Sequence, residues 1–504
     1  MRPAPGAETD LDAAACYRII QARDARYDGK FFTGVTSTGI YCRPICPART
    51  PKRENVRFYS CAAAAEAAGF RPCKRCRPET APGTPAWNGT ATTVRGGLRL
   101  ISSGFLDEHS VTELAALLGM GERHLRRLFV EHVGVAPAAV ALSRRAHFAA
   151  RMLKDTDLPV SQVALSAGFG SVRQFNDVFR LVFGEPPGSV RRTHVQRASG
   201  VPARRGTRSA RSIELALAYR PPLQWERMLE FFRARAVRGV EEVTGSSYRR
   251  AIALGAATGI LEVTRREGPG NTLTASLTGI EPALLGEAVR RVRRMFDLDA
   301  DPLAVASHLK RDARLAPLVS AAPGTRIPVT WDPFEAAVRA VIGQQISVAG
   351  AITIAGRLAE RCGRPVTDVL PAGTITRVFP GPAELAQADL SGLGVPTARA
   401  RTLTTVARAT LAGRVRMDGY VAAERLFEQL TELPGIGPWT ASYVALRGFG
   451  EPDAFPDTDL GIRKALDARG YPRGAAARKA AMERLAPWRG YAALYLWNAL
   501  SQGG

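Results

Sequence analysis

No apolar run in the 504-residue chain approaches the roughly 20 residues that a helix needs to cross a bilayer. The N-terminal stretch MRPAPGAETDLDAAACYRII also lacks the apolar segment of a secretory signal peptide. These absences argue against a membrane protein and against a secreted one, and we predict a cytoplasmic location. Thiols stay reduced in that compartment, so close cysteine pairs would indicate metal or redox chemistry rather than disulfides.

Acidic side chains are scarce relative to basic ones. The sequence has 46 Asp and Glu against 69 Lys and Arg, which gives a formal net charge of +23. The apolar content of 46% is enough for packed cores and argues against disorder throughout. A strongly basic, globular chain favours a polyanionic partner, and nucleic acid is the first candidate. A solvated basic surface would explain part of this excess without any partner.

Changes in composition along the chain predict about three or four domains in a mostly α protein with α+β parts. Residues 78–93 are rich in Pro, Gly and Thr, and residues 191–212 are basic and polar, as is typical of linkers. Residues 94–190 and the chain from residue 332 onwards have helical patterns. Residues 213–325 alternate strand-like stretches with one long helix, which indicates an α+β subdomain.

The few cysteines are concentrated near the N-terminus, where six of the seven lie within the first 80 residues. Cys42 and Cys46 form a C-x3-C pair, and Cys73 and Cys76 form a C-x2-C pair. Two such pairs separated by a loop can converge on one tetrahedral ion, and Zn²⁺ accepts four thiolates readily. Four free cysteines or a redox-active C-x-x-C pair are the alternatives. We predict a Zn²⁺ site.

Basic residues crowd the sequence around these cysteines. They are Arg43, Arg49, Lys52, Arg53, Arg71, Lys74, Arg75 and Arg77. A zinc ion with four thiolates has net negative charge, and its electron-rich sulfur is nucleophilic. The basic side chains could hold a phosphate backbone over that sulfur, so that one ligand attacks an electrophile on DNA. Cys16 and Cys61 are unpaired in the sequence, and we expect them to be ordinary buried residues.

The stretches GKFFTGVTSTGIYCRPICPARTPKRENVRFY and GFRPCKRCRPE resemble the N-terminal domain of the bacterial adaptive-response family Ada, across residues 12–80. The resemblance implies that all four paired cysteines are zinc ligands. It also implies that Cys42, the first cysteine of YCRPIC, irreversibly accepts a methyl group from methyl phosphotriesters in DNA. The loss of one thiolate charge would then strengthen DNA binding. A purely structural zinc module is the alternative, because an inert site has the same ligands.

Residues 109–134 and 158–187 each have the pattern of a helix-turn-helix. Each predicts a capping box, at Ser110–Glu113 in the first stretch and at Ser171–Gln174 in the second. A helix from about Pro137 to Leu153 is predicted between them. Two such motifs in tandem favour a DNA-binding function more strongly than one would.

The outward faces of these helices are predicted to contact DNA. Their candidate residues are Arg123, Arg126, Arg173, Gln174 and Asn176. Such Arg-rich faces are usually only solvated. However, the motif G-F-x-S-x3-F-x3-F that begins at Gly168 resembles the AraC-type activator domain, and the resemblance covers residues 95–192. It implies binding to promoter DNA, and we also expect RNA polymerase as a partner.

One part of the Ada pattern is missing. Ada proteins end in a second methyl-acceptor domain whose nucleophile lies in a Pro-Cys-His-Arg motif, and this chain has no such motif. Its only later cysteine is Cys362, in ERCGRPV. The sequence therefore does not support repair of O6-methylguanine by direct transfer.

The pentapeptide LPGIG, Leu433–Gly437, followed by Pro438, predicts a helix-hairpin-helix. At Gly435, Ile436 and Gly437 the backbone N–H groups could approach a DNA phosphate, because the glycines have no Cβ in the way. An ordinary turn between helices is the alternative, although the LPGIG sequence argues against it.

The stretch AFPDTDLGIRKAL places two carboxylates at the predicted start of a helix. Asp457 fits an N-cap or a solvated residue. Asp459 lies at the distance from the hairpin that the catalytic aspartate of helix-hairpin-helix glycosylases has, and it could stabilise an oxocarbenium-like transition state and orient water. Trp439 occupies the lysine position of the bifunctional members, which favours a monofunctional enzyme without a Schiff base.

Residues 213–504 resemble the 3-methyladenine DNA glycosylase II (AlkA) family in stretches such as FEAAVRAVIGQQISVAGA, LPGIGPWTASYVALRGFG and WRGYAALYLWNAL. The resemblance implies Asp459 as catalyst and an aromatic pocket of Phe231, Trp439, Tyr443 and Trp497. Cation–π attraction would favour N3- and N7-alkylated purines, which are cationic. For any one of these aromatics alone, core packing is the alternative.

The chain departs from this family at three positions. Gln345, in GQQIS, stands where the family inserts an apolar wedge into the duplex, and we expect it to contact DNA there. Leu460 and Asn498 replace two tyrosines of the pocket. These changes bear on which alkylated bases the pocket accepts.

The prediction is therefore an Ada–AlkA fusion that senses methylation, binds damaged and promoter DNA, and excises alkylated purines such as 3-methyladenine and 7-methylguanine. The alternative is a transcription regulator whose glycosylase fold is inactive and only binds DNA. The predicted parts are the zinc domain (1–84), the AraC-type domain (85–195), a basic linker (196–212), the α+β subdomain (213–330) and the helix-hairpin-helix domain (331–504).

Overall fold

A computed structural model describes residues 13–82, 92–191, 212–266, 270–366, 374–418, 421 and 423–501. The chain divides into two compact units. The first comprises Met1–Pro221, Gly268–Thr274 and Ile280–Arg290, and the second comprises Pro222–Glu267, Ala275–Gly279 and Arg291–Gly504. The larger parts of the two predicted linkers, residues 83–91 and 192–211, lie outside the described residues.

The N-terminal part of the first unit is a small sheet with two helices. Its elements are α1 (Ala13–Ala22), β1 (Phe32–Val35), β2 (Ile40–Cys42), β3 (Val56–Tyr59), α2 (Ala62–Ala67) and β4 (Arg71–Pro72). The strand order is β3-β1-β2-β4, and β2 runs parallel to β4 with Tyr41 opposite Pro72. This register places Cys42 and Cys73, the next residue in each case, at the same edge of the sheet.

The predicted helical region follows in the same unit. Its helices are α3 (Thr92–Ser102), α4 (Phe105–Glu108), α5 (Val111–Leu117), α6 (Glu122–Val133), α7 (Pro137–Asp155), α8 (Val160–Ser166) and α9 (Val172–Phe183). The joining helix is confirmed as α7. Leu125 and Phe129 of α6 and Phe175 and Phe179 of α9 are fully buried, as helix-turn-helix packing requires.

The two predicted capping boxes have different outcomes. At the start of α5, Ser110 Oγ accepts from the Glu113 N–H at 3.2 Å and the Glu113 carboxylate accepts from the Ser110 N–H at 2.8 Å. At the start of α9, Ser171 Oγ accepts from the Gln174 N–H at 3.1 Å. No return bond from the Ser171 N–H to the Gln174 side chain is formed among the described residues, so the second box is only half formed.

A second, five-stranded sheet confirms the predicted α+β region. Its strands are β5 (Ser212–Ala218), β6 (Glu241–Val243), β7 (Ser247–Leu254), β8 (Ala257–Arg265) and β9 (Thr272–Thr278), in the order β5-β9-β8-β7-β6. β7 and β8 pair antiparallel along the whole of β7. The sequence pattern did not predict β6, because three residues are too few to show alternation.

The remaining elements are helices, and they confirm the mostly α assignment. They are α10 (Trp225–Arg233), α11 (Leu285–Met295), α12 (Pro302–Leu309), α13 (Ala316–Ala321), α14 (Pro333–Ile342), α15 (Val348–Cys362), α16 (Pro382–Ala386), α17 (Thr397–Leu411), α18 (Ala423–Thr431), α19 (Pro438–Phe449), α20 (Leu460–Ala468), α21 (Ala475–Glu483) and α22 (Arg489–Ser501). Within the described ranges every helix is too short or too polar to cross a membrane.

The core of the second unit positions the hairpin between α18 and α19. Val341 of α14, Leu403 of α17 and Val444 of α19 are fully buried in one cluster. Gly435 has a φ of +85°, and a Cβ at this position would clash with the Thr402 hydroxyl. The close approach of α17 therefore requires glycine in the hairpin.

Candidate metal centre and aromatic carboxylate cleft

The structure brings the four predicted cysteine ligands together. The Sγ atoms of Cys42, Cys46, Cys73 and Cys76 all lie within 4.8 Å of one another. The parallel pairing of β2 with β4 brings Cys42 and Cys73, the first cysteine of each pair, next to each other. The Cys73 N–H donates to the Tyr41 carbonyl at 3.0 Å. Four sulfurs at this spacing fit the tetrahedral coordination of Zn²⁺.

The cysteines polarise one another. Hydrogen bonding from Cys42 is the largest cause that lowers the pKa of Cys46 to about 7, and it also lowers the pKa of Cys73. The same mutual contacts raise the pKa of Cys42 and of Cys76. The four thiols therefore interact closely with one another, and a bound metal ion would require them as thiolates.

Arg43 has a structural role that the sequence did not indicate. Its guanidinium is buried, and its Nε donates to Asp28 Oδ1 at 2.8 Å while Nη1 donates to the Cys76 carbonyl at 3.0 Å. Its backbone N–H donates to Cys76 Sγ at 3.3 Å. Arg43 thus holds the second cysteine pair in place, a structural role in addition to the predicted contact with DNA phosphate.

A cavity of about 500 Å³ lies beside the sulfurs. Cys42, Cys46 and Cys73 line it, whereas Cys76 does not. The other lining residues include the basic side chains of Arg49, Arg71, Lys74 and Arg75 and, from the end of α9, Phe183, Gly184 and Glu185. A phosphate group would find both positive charge and accessible sulfur in this cavity.

Tyr41, next to Cys42, is tied to the helix-turn-helix region through buried polar contacts. Its hydroxyl donates to Glu66 Oε1 at 2.8 Å, and the same carboxylate oxygen lies 2.7 Å from His147 Nε2 on α7. Burial is the largest single influence on the pKa of Glu66 and raises it, but the charge attraction and hydrogen bond of His147, together with the hydrogen bonds from Tyr41 and Ser143, leave the pKa lowered. The sulfur cluster and α7 are therefore held in a defined relation.

Asp459 is held by three N–H donors in the second unit. Its Oδ1 accepts from the Ile462 N–H and from the indole of Trp497, each at 2.9 Å, and its Oδ2 accepts from the indole of Trp439 at 2.9 Å. Asp459 is itself the N-cap of α20, whereas Asp457 is exposed. The N-cap role expected for Asp457 therefore belongs to Asp459.

Three of the four predicted pocket aromatics lie together. Trp439 stacks on Tyr443 with a centroid distance of 5.2 Å and an interplanar angle of 24°. Trp497 meets Tyr443 edge-on at 6.4 Å. A Cβ at Gly461 would lie 3.1 Å from Asp459 Oδ1, so glycine leaves the carboxylate uncrowded. The result is an electron-rich wall beside a fixed carboxylate.

Phe231 has different neighbours from the other three. Two guanidinium groups contact its ring, with Arg235 at 3.9 Å and Arg447 at 4.2 Å from the centroid. Burial lowers the pKa of both arginines, and Tyr443 of the wall opposes that shift. Sequence analysis did not single out these arginines, although Arg447 stands four residues after Tyr443 on α19, a spacing that places the two side chains on one helical face.

Two of the three hairpin residues predicted to bind DNA are exposed, and the third is bonded within the turn. Gly435 and Gly437 are exposed, whereas the Ile436 side chain is buried and its N–H donates to the Leu433 carbonyl at 3.1 Å. Gln344 Nε2 donates to the Gly435 carbonyl at 3.0 Å, which ties the neighbouring loop to the hairpin. In that loop Gln345 is exposed, with a φ of +56°. Ile436 therefore supports the turn.

The predicted DNA-facing residues of the helix-turn-helix region lie on its surface. Arg123, Arg126, Arg173 and Gln174 are exposed and Asn176 is half-buried. Arg126 Nε donates to Glu122 on the same helix at 2.8 Å. A surface pair of this kind is weak and leaves the arginine available to a stronger anion.

Four protein-family models match successive parts of the chain. They are the metal binding domain of Ada (15–79), a helix-turn-helix domain (114–193), the AlkA N-terminal domain (214–332) and the HhH-GPD superfamily of base excision DNA repair proteins (338–489).

Individual proteins are similar over long stretches. A Mycobacterium tuberculosis protein described as a probable bifunctional transcriptional activator/DNA repair enzyme AlkA is 42% identical over 490 residues, which cover 97% of each chain. The DNA-3-methyladenine glycosylase 2 of Escherichia coli is 37% identical over 289 residues, covering 56% of this chain and 95% of that protein. A solved 3-methyladenine DNA-glycosylase from Archaeoglobus fulgidus matches with a TM-score of 0.51 and 22% identity, covering 57% of this chain and 99% of that one, which shows a shared fold.

Proposed function

The chain belongs to the Ada/AlkA family of bifunctional transcriptional activators and DNA repair enzymes, and from this premise we propose which residues carry each of its activities. Its Ada-type domain takes Zn²⁺ as cofactor, and its second unit carries a DNA glycosylase of the AlkA type. The observation that carries our assignment of the glycosylase site is the carboxylate of Asp459, fixed between the indole N–H groups of Trp439 and Trp497.

We propose hydrolysis of the N-glycosidic bond of alkylated purines by a monofunctional mechanism. A stacked purine does not expose this bond, so the nucleotide must flip out of the duplex. The aromatic wall receives the base, and the Asp459 carboxylate offsets the positive charge that develops on the sugar. Water attacks C1′, the bond from C1′ to the base nitrogen breaks, and the water proton leaves to solvent or to the departing base.

Two features support hydrolysis without a Schiff base. Trp439 stands at the position that would need an amine nucleophile, and its N–H is used by Asp459. Among the residues that the structure describes, the side chain of Asp459 accepts from neutral N–H groups and forms no ion pair. Exposed Gly435 and Gly437 would bind backbone phosphate beside the lesion, and exposed Gln345 would enter the gap left by the flipped nucleotide.

For the first unit we propose methyl transfer from DNA phosphotriesters to Cys42. Zn²⁺ held by the four cysteines would keep their sulfurs deprotonated at neutral pH. The Cys42 sulfur attacks the methyl carbon, a carbon–sulfur bond forms, the carbon–oxygen bond breaks, and the phosphodiester leaves as an anion. The position of Cys42 on the cavity, together with the basic residues Arg49, Arg71 and Arg75, supports this assignment.

We further propose that the helix-turn-helix region binds promoter DNA through Arg123, Arg126, Arg173, Gln174 and Asn176. RNA polymerase is the partner expected for an activator of this type, and the bacterial cytoplasm is the location that this function requires. The boundaries predicted from the sequence, at residues 84, 195, 212 and 330, remain part of this proposal.

One assay tests both chemical activities. The full chain is incubated with randomly methylated DNA, and both the released bases and the methyl groups bound to the protein are measured. We expect free alkylated purines and one methyl group per chain. Methylated protein without base release would leave a transcription regulator with an inactive glycosylase fold, and base release without protein methylation would leave a structural zinc module.

A further inference from the structure

Among the residues that the structure describes, a single carboxylate lines the cavity beside the sulfur cluster. It belongs to Glu185, two residues after the end of α9, whereas the other charged residues of the lining are basic. Glu185 Oε1 lies 2.9 Å from Nζ of Lys74, the residue next to Cys73. The proposed methyl transfer uses positive charge in this cavity and gives no role to a negative group.

The turn after α9 fixes the position of Glu185. Phe183, the last residue of α9, also lines the cavity, and Gly184 ends the helix with a φ of +72°. A Cβ at Gly184 would lie 3.0 Å from the Arg71 side chain, so the turn packs closely against the basic side of the cavity. The Glu185 side chain is 21% exposed, against 67% for Lys74. The fold therefore holds the carboxylate in place, and the more mobile lysine side chain reaches it from solvent.

Three other basic residues of the lining have no such partner. Within the described parts of the chain, no carboxylate lies at ion-pair distance from Arg49, Arg71 or Arg75, and all three are exposed. Their charge attracts phosphate without regard to whether it carries a methyl group, because Coulomb attraction acts on any anion. The basic side chains alone therefore do not distinguish damaged from undamaged DNA.

The substrate of the proposed transfer and its competitor differ in charge. A methyl phosphotriester is neutral, whereas each undamaged phosphodiester carries one negative charge and is present in large excess. A cavity with positive charge only would bind the phosphodiester more tightly and would hold the protein on DNA that has no methyl group to give. A fixed carboxylate in the lining repels the phosphodiester and has little effect on the neutral phosphotriester.

We propose that Glu185 is a specificity-determining residue of the methyl-transfer site. Its carboxylate binds the ammonium group of Lys74 and disfavours entry of an anionic phosphodiester, so that the cavity selects the neutral phosphotriester. The second helix-turn-helix thereby contributes a residue to the site in the zinc domain. The inference rests on the proposed methyl transfer and refines its choice of substrate.

The same carboxylate acts on the product. Methyl transfer leaves a phosphodiester anion in the cavity, and repulsion by Glu185 favours its release. The charge of Glu185 does not change when a sulfur is methylated, so this selection is separate from the loss of charge at the cluster. It therefore operates both before and after the reaction.

The test compares the full parent chain with Glu185→Gln, which keeps the shape of the side chain and removes its charge. A short duplex with one methyl phosphotriester is the methyl donor, and an undamaged duplex of the same sequence is the competitor. Mass spectrometry measures the rate of Cys42 methylation at rising competitor concentration, and fluorescence anisotropy measures the affinity for the undamaged duplex alone. We expect the competitor to inhibit Glu185→Gln at a concentration about threefold to tenfold lower than the parent, and the undamaged duplex to bind the variant more tightly by a similar factor.

Two controls separate this effect from a general change of charge or of packing. Glu54→Gln removes a carboxylate that pairs with Lys52 at 3.8 Å in the same domain but does not line the cavity, and it should behave as the parent does. Raising the salt concentration from about 0.05 to about 0.3 M should reduce the difference between Glu185→Gln and the parent, because salt screens charges, whereas a packing defect would persist.

The outcomes distinguish this inference from the function on which it rests. If the parent is not methylated on Cys42, the proposed methyl transfer fails and the role of Glu185 fails with it. If the parent is methylated but Glu185→Gln keeps the parent's inhibition and duplex affinity, only the role of Glu185 is overturned. An equal shift in Glu54→Gln would overturn it as well, since the effect would then not belong to the cavity.

Discussion

Trp439 donates its indole N–H to Oδ2 of Asp459 across 2.9 Å, although the two residues lie twenty positions apart and begin different helices. The bond makes one side chain serve two purposes, since the ring of Trp439 also stacks on Tyr443. The carboxylate and the aromatic wall are therefore positioned by the same residue. A base stacked on that wall would bring its sugar close to a carboxylate whose orientation is already set.

The first prediction concerns the charge of Asp459. Asp459→Asn keeps the shape of the side chain but removes the charge, and its amide nitrogen would face an indole donor. We expect single-turnover release of 3-methyladenine to fall by about 100-fold or more, the scale typical of one lost preorganised electrostatic group. Asp457→Asn, at an exposed neighbouring position, is the matched control and should have a much smaller effect. Release by Asp459→Asn at the parent rate would rule out the assignment.

A second prediction concerns the metal. The 4.8 Å cluster of sulfurs should bind one Zn²⁺ per chain, measured by elemental analysis of the purified protein. Cys73→Ser should lose the ion, because a hydroxyl does not replace a thiolate ligand. Cys61→Ser changes a buried cysteine outside the cluster and should keep it. Zinc retained normally by Cys73→Ser, or absent from the parent, would contradict the site.

The third prediction is the position of the transferred methyl group. Cys42 lines the cavity beside the basic residues, whereas Cys76 does not line it and Cys16 and Cys61 are buried. After reaction with DNA that carries methyl phosphotriesters, peptide mass spectrometry should find the methyl group on Cys42. Promoter affinity should increase, because one negative charge at the DNA-facing surface is lost. A methyl group on Cys16 or Cys61, or no methyl group at all, would overturn the proposal.

A fourth prediction follows from Asp297, which is buried and accepts from the Tyr491 hydroxyl at 2.6 Å. Burial raises the pKa of its carboxyl to about 6, above the ordinary 3.8. The folded protein thus binds this proton more tightly than the unfolded chain does. The resulting stabilisation is complete below the ordinary pKa and is lost as the pH rises through about 6.

Denaturant unfolding at several pH values, with Asp297→Asn as the comparison, measures this contribution. The free energy of unfolding of the parent minus that of the variant should decrease as the pH rises from about 4 to about 6.5, by at most roughly 3 kcal/mol. A flat difference for Asp297→Asn would show that the carboxyl is not perturbed.

Features formed by neighbouring residues could be predicted from the sequence. The spacing of the cysteine pairs predicted the cluster, because the two sulfurs of each pair are only a few residues apart. The parallel β2–β4 pairing then brings the two pairs together. LPGIG predicted the hairpin, because glycine alone tolerates the φ of +85° and the nearby Thr402. Ser110 and Glu113 predicted the start of α5 for the same local reason.

Only the tertiary structure decided which charged side chains are free. Arg43 belongs to the basic shell in the sequence, yet Asp28 and the Cys76 carbonyl bind it inside the protein. Of two candidate carboxylates, Asp459 rather than Asp457 caps α20, and two indoles from other helices also donate to its oxygens.

Phe231 and Arg447 are more than 200 positions apart in the sequence, and nothing near either residue indicates that they stack. A turn, a cap or a ligand pair is formed by groups a few residues apart, so a short stretch of sequence is enough to predict it. Burial and charge pairing depend on partners that folding brings from distant positions. The aromatic composition of the wall therefore follows from the sequence, whereas the contact of Arg447 on α19 with Phe231 on α10 follows from the tertiary structure.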